Sequence, residues 1–209
     1  MWLPADSAER IEQAVIAAEA HTAAELVVVG RPFSGSYRDV EYLFGLACAL
    51  AFLGWALFAE RVVPVEAVVP TLALSWLAGG LLCRFSPGLR RLMTPVARRR
   101  RQALDAARLA FLERGVDATR GRTGVLVHVS FLERRVDLVA DRGAREALGD
   151  EALARAGDGL ADALRGPDPI PAFCEGLVAL GRALGEPLPR GEDDVDELCN
   201  IPLLHGGAG

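Results

Sequence analysis

Glu19, Thr22 and Glu25 place three oxygen-bearing side chains at even spacing, and Asp141, Arg142 and Thr123 add three polar groups further on. Carboxylate and hydroxyl oxygens are what hard divalent cations take as ligands, so a calcium-type ion is the one ion this set could hold. Glu25 and Asp141 would be the working carboxylates of a cation-assisted hydrolase. The plainer alternative is structural: Thr22 caps a turn, Glu25 pairs with Arg122 or Arg142, and Asp141 caps the helix that follows it. His128 falls on alternate positions of an apolar run, which suits a packed histidine better than a general base. Ser130 lies in no GxSxG context and shows no local histidine partner. Glu133–Arg134–Arg135 reads as a solvated, ion-paired turn. No metal ligand set can be assigned and no motif indicates a cofactor.

Composition closes several other routes. All 23 basic residues are arginine, so a phosphate-loop lysine, a Schiff-base lysine and a kinase-type lysine are excluded. Cys48, Cys83, Cys174 and Cys199 show no CxxC spacing, and His21, His128 and His205 form no HExxH, so neither a disulfide framework nor a zinc site is indicated. The formal charge is −5, but locally it is uneven. Residues 84–101 carry seven arginines and no acid, whereas "EDDVDE" at 192–197 carries five acids. Opposed patches argue against specific nucleic-acid binding, although Arg98–Arg101 could touch phosphate. Residues 1–30 lack the basic-then-apolar pattern of a secretory signal.

Two apolar runs dominate the rest: Tyr42–Ala59, 18 residues without a charge, and Val62–Cys83, 22 residues carrying only Glu66. About 20 helical residues cross the hydrocarbon layer, so the pair reads as a transmembrane hairpin turning at Glu60–Arg61. Pro64 and Pro70 would bend its second helix. Seven arginines in 84–101 and two in 22–41 face only Arg61 in the turn. That asymmetry predicts a membrane protein with its soluble domain and both termini in the cytoplasm. Gly45 with Ala49, and Ser75 with Gly79, are small residues four apart and point to self-association through the hairpin.

The elements around the hairpin follow from periodicity. Residues 6–20 form a helix opened by an Asp6/Glu9 capping box, and 24–30 form a buried strand. After the hairpin come a helix from about Pro95 to Glu113, strands at 123–130 and 135–141, and helices at 144–165 and 171–184. Val125, Val127 and Val129 lie on one face of their strand, and Leu126, His128 and Ser130 on the other. A crossover containing a helix makes 24–30 and 123–130 parallel, and the third strand returns antiparallel. The fold class is therefore α/β, a small mixed sheet covered by helices and interrupted by a two-helix transmembrane hairpin. Its parts are 1–40 and 85–186 for the sheet domain, 41–84 for the hairpin, and 187–209 for a loosely held acidic, Gly-rich tail. In such a sheet Glu19, Thr22, Glu25, Thr123, Asp141 and Arg142 gather at one edge, with Ser130 and Glu133 at the opposite end.

"IEQAVIAAEAHTAAELVVVG" and "RTGVLVHVSFLERRVDLVADRG", with "SYRDV" at 36–40 and "DELCN" at 196–200, resemble the TPM domain family, specifically bacterial membrane members in which a hydrophobic hairpin interrupts the domain. The matching positions are Glu19, Thr22, Glu25, Gly124, Glu133, Arg134, Asp141 and Gly143. The resemblance implies an α/β sandwich with a small central sheet. Relatives include thylakoid proteins of photosystem repair and an animal receptor-accessory protein, and a calcium-binding, phosphatase-like activity has been proposed for plant members. Where plant members carry an acid or amide before the strand-opening glycine, this chain has Thr123, preceded by Arg122. Three expectations follow: an accessory or assembly and quality-control module for other membrane proteins, a cation-assisted phosphatase, or a small transporter subunit using Glu66.

Overall fold

The computed structural model describes residues 6–59, 64–191, 198 and 200–204. Among these, eight α-helices and a four-stranded mixed sheet form an α/β fold. The chain divides into two compact units, one built from the segments up to Ser34 and from Arg100 onward, the other Gly35–Arg99.

In the first unit, strands β1 (Leu26–Arg31), β2 (Val125–Ser130), β3 (Arg135–Ala140) and β4 (Leu203–Leu204) run in the order β3-β2-β1-β4. β1 pairs parallel with β2, and β2 antiparallel with β3, as the crossover argument requires. Every residue of β2 is buried, because helices cover both faces. On one side Val28, Val125 and Val127 pack with Ile11 and Val15 of α1 (Ser7–Glu19), Leu160 of α7 (Asp150–Ala163), and Phe173 and Leu177 of α8 (Pro169–Gly185). On the other, Val27, Val29 and Leu126 meet Ala107, Ala110 and Phe111 of α5 (Val96–Glu113), with Val116 from a single 3-10 turn. The alternation Val125/Val127 against Leu126 thus separates two cores.

Three local features differ from the sequence expectation. Asp6 makes no side-chain cap; its carboxylate lies 3.9 Å from Arg10, one turn on. The helix expected over 144–165 is two, α6 (Arg142–Leu148) and α7, because Gly149 adopts φ +83°, a left-handed value that glycine adopts without a Cβ penalty. The acids Asp150 and Glu151 then open α7, where they face the helix's positive end. Finally, the segment 187–209 supplies β4, which pairs with β1 through Val29 and Gly30.

β3 is a sheet edge, and the outer carbonyls of Arg134, Val136 and Ala140 along it are covered. Arg165 donates to the Arg134 carbonyl and Arg145 Nη2 to that of Ala140, at 3.2 Å. Between them α7 comes so close that a Cβ on Gly157 would sit 2.9 Å from the Val136 oxygen. A covered edge does not template a further strand.

The second unit is a packed helix pair, α2 (Arg38–Phe58) and α3 (Val65–Phe85), followed by a short helix α4 (Pro87–Met93) that the apolar pattern had not signalled. α2 buries Glu41, Gly45 and Ala49, a stripe at four-residue spacing, and α3 buries Gly79 and Cys83. A Cβ on Gly45 would lie 2.4 Å from the Trp76 carbonyl, and one on Gly79 would lie 2.7 Å from Cys48 Sγ. Gly45, Ala49 and Gly79, three of the four small residues expected to join separate copies, are buried in this helix pair. The turn at Glu60–Arg61 lies outside the described residues.

Candidate functional site

Glu19, Thr22, Glu25, Thr123, Asp141 and Arg142 lie at one end of the sheet, where β1 and β2 begin and β3 ends. Thr123 Oγ1 donates to the Ala23 carbonyl at 2.9 Å, and the Asp141 amide donates to the Gly124 carbonyl at 2.8 Å. The Gly143 amide donates to the Arg122 carbonyl at 2.7 Å, in a turn where Arg122 itself has φ 53°. Both glycines there are dictated by packing. A Cβ on Gly124 would lie 2.2 Å from the Val116 carbonyl, and one on Gly143 would lie 2.8 Å from that of Arg122.

What the polar side chains bind tells against an open reaction centre. Glu19 Oε1 accepts from the Leu26 amide at 2.8 Å, tying the end of α1 to the start of β1. Thr22 Oγ1 accepts from the Ala24 amide at 3.1 Å and donates to the Leu188 carbonyl at 3.0 Å. Glu25 Oε2 accepts from the Leu198 amide at 3.4 Å, and Asp141 Oδ1 from the Arg142 amide at 2.7 Å, which opens α6. Arg142 is exposed, and its Nε donates to Glu146 Oε1 at 2.8 Å, one turn along its own helix; that pairing raises its pKa. Glu19, Thr22, Glu25, Thr123 and Asp141 are all buried. Each places one side-chain oxygen on a neighbouring backbone group, which is how buried polar atoms are made tolerable, while Asp141 Oδ2 is buried without a hydrogen-bond partner among the described residues. Among the described residues no group of three His, Cys, Asp or Glu side chains stands together as a cation would need.

A second polar group lies at the opposite end of β2, on the face turned toward α5. Ser130 Oγ is 3.3 Å from His128 Nδ1 and hydrogen-bonds Ser34 Oγ as well. Ser130 therefore does have a histidine partner, two residues back on the same strand, since alternate strand residues share a face. His128 stands opposite Asp137 in the β2–β3 register. Burial pushes its pKa down to about 4, and Arg31 adds to this while Asp137 opposes it. The imidazole is thus neutral near pH 7. The serine, histidine and aspartate are nevertheless 1%, 0% and 7% exposed, so substrate has no approach. Glu133 belongs to the same group. It is buried, not solvated as its turn suggested, because Oε1 accepts from the Ser34 amide at 3.0 Å. Arg135 leaves that turn to bind Asp137 at 2.8 Å.

The hairpin presents a different surface. Both helices are long and apolar enough to cross a membrane, yet only 17% of the apolar window of α2 and 6% of that of α3 is buried. Leu43, Leu50, Leu57, Phe58, Val69 and Leu74 point outward, each more than half exposed. At the Arg38/Arg84 end, Arg90 binds Glu41 at 3.0 Å, and Arg98 Nη2 binds Asp39 Oδ1 at 2.9 Å.

No family model matches the sequence, and no curated protein matches it. The fold itself has a solved counterpart. It is similar to the NMR structure of BA42 protein from the psychrophilic bacterium Bizionia argentinensis, with a TM-score of 0.59 over 98% of this chain and 97% of that one. At 16% identity the similarity is one of architecture.

Proposed function

We propose that this chain is an integral membrane protein whose α2–α3 hairpin anchors a TPM-like domain, and that the domain serves as an accessory module in the assembly or quality control of other membrane proteins. The observation that carries the first half is the outward apolar surface of two helices of 21 residues each. In water such a surface would exceed what a soluble monomer exposes. Arginine asymmetry supports a bacterial inner-membrane location with both termini in the cytoplasm. The accessory role is supported by the closed state of both polar groups in the sheet unit: their side chains hold the backbone together and leave no approach for substrate. The cation-assisted phosphatase has less support, since the Glu25 and Asp141 oxygens accept backbone amides. Alkaline-carbonate extraction of native membranes tests the anchor, which predicts that the chain stays in the pellet. Cross-linking in those membranes, followed by partner identification, tests the accessory role. Recovery of the chain without any membrane-protein partner would sink it.

A further inference from the structure

Within the hairpin unit, a cavity of about 310 Å³ opens at the Arg38/Arg84 end, lined by Arg38, Glu41, Tyr42, Trp76, Leu81 and Arg84. We propose that it seats one anionic phospholipid, with the phosphate between Arg38 and Arg84 and the acyl chains running down past Tyr42, Trp76 and Leu81.

Charge is the first argument. Glu41, the one acid in the wall, is 9% exposed and bound by Arg90 at 3.0 Å. Arg84 reaches it only at 4.0 Å, and Arg38 has no ion-pair partner among the described residues. Arg38, Arg84 and Arg90 against the single Glu41 carboxylate leave two positive charges, and the long Arg84 contact and the unpaired Arg38 can turn to an anion. A guanidinium fork matches a phosphate oxygen pair, which makes arginine a good reader of phosphodiesters. The second argument is the other wall. Tyr42 and Trp76 stack with ring centroids 5.9 Å apart and planes at 21°, and the two residues are 55% and 41% exposed. Amphipathic aromatic rings favour the headgroup boundary. Between Trp76 and Arg84 on α3, Leu77 and Leu81 add exposed apolar side chains beneath the arginine end. A cavity that is cationic at the top and apolar below suits a lipid better than a free anion, and basic pockets at the cytoplasmic ends of spanning helices suit anionic headgroups. The inference rests on the anchor reading above.

The test uses the full chain in phosphatidylcholine vesicles, with Trp76 as its sole tryptophan (Trp2→Phe, Trp55→Phe). Brominated phosphatidylglycerol or brominated phosphatidylcholine is titrated in as quencher. Expected is quenching by the anionic lipid at several-fold lower mole fraction, a preference that drops about fivefold for each of Arg38→Gln and Arg84→Gln. Arg101→Gln, on an exposed side chain outside the cavity, should leave it unchanged. Unaltered quenching by brominated phosphatidylcholine shows that the variants still insert. Equal quenching by both lipids in the parent protein, or a preference that survives the double arginine variant, overturns the proposal and leaves the anchor standing. Relief of quenching by excess inorganic phosphate would overturn the lipid in favour of a free anion. No quenching by either lipid would remove the anchor reading as well.

Discussion

The sheet unit and the hairpin are built from similarly apolar segments, yet they dispose of them in opposite ways. β2 hides all six of its residues, including a histidine and a serine, between two helical layers. α2 and α3 bury one narrow seam of small residues and turn nearly everything else outward. Burial in the first case removes apolar surface from water and so stabilises the fold. In the second case the apolar surface has no protein cover among the described residues, so burial within the protein is not what stabilises it. Apolar composition by itself is therefore uninformative here; what separates the two regions is which side chains each one covers.

The sharpest way to break that contrast is to truncate one phenylalanine in each region. Phe173, 1% exposed in the sheet core, should cost about 4 kcal/mol as Phe173→Ala in denaturant unfolding of the detergent-solubilised protein. Phe58, 89% exposed on α2, should change the same midpoint by less than about 0.5 kcal/mol as Phe58→Ala. Equal losses would mean that the hairpin is covered by protein after all.

The next effect belongs to His128. Its pKa is about 4 in the folded protein against an ordinary 6.5, so between those values the folded state binds fewer protons than the unfolded one. Its contribution is fully present above about pH 6.5 and is lost as pH falls toward about 4, a total of about 3 kcal/mol. Comparing unfolding midpoints at neutral and acid pH for the parent and His128→Gln isolates this share from that of the carboxylates. A parent and variant with the same acid sensitivity would show that His128 is not held neutral by burial.

Within the hairpin, two glycines on α2 separate seam from outward face. Gly45→Leu drives its side chain into the Trp76 backbone and should destabilise the helix pair by about 1–3 kcal/mol, read as an earlier Trp fluorescence transition on heating in detergent. Gly54→Leu meets nothing within 4 Å and should leave that transition in place.

The smallest effect probes the candidate edge. Asp141→Ala removes the α6 cap and should cost about 1 kcal/mol, whereas Arg142→Ala on the exposed face should cost less than about 0.5 kcal/mol. Phosphate release in the presence of calcium should be the same for both variants and the parent. A loss confined to Asp141→Ala, beyond what its stability change explains, would restore the hydrolase reading.

Local sequence sufficed wherever the deciding interaction is local. The uncharged run after Tyr42 and the apolar run before Arg84 set two spanning-length helices, and alternation set the two faces of β2. The crossover helix set the parallel pairing of β1 and β2, and Asp141 before Arg142–Gly143 marked a cap. Each of these depends on neighbours within a few residues or on a short list of allowed connections. The break at Gly149 was legible too, in a glycine followed directly by two acids, but the apolar period running through it masked the signal.

Tertiary structure alone decided what the candidate side chains hold. Thr22 binds the Leu188 carbonyl, Glu25 the Leu198 amide and Glu133 the Ser34 amide, all across more than ninety residues of chain. Spacing along the sequence cannot announce such partners, because they exist only once the helices have closed over the sheet and every buried amide and carbonyl must find a mate. The same holds for the glycines. Gly45 and Gly79 are small for each other's helix, Gly124 for the Val116 carbonyl and Gly181 for Ala18 of α1, and only the folded chain says which neighbour a missing Cβ makes room for.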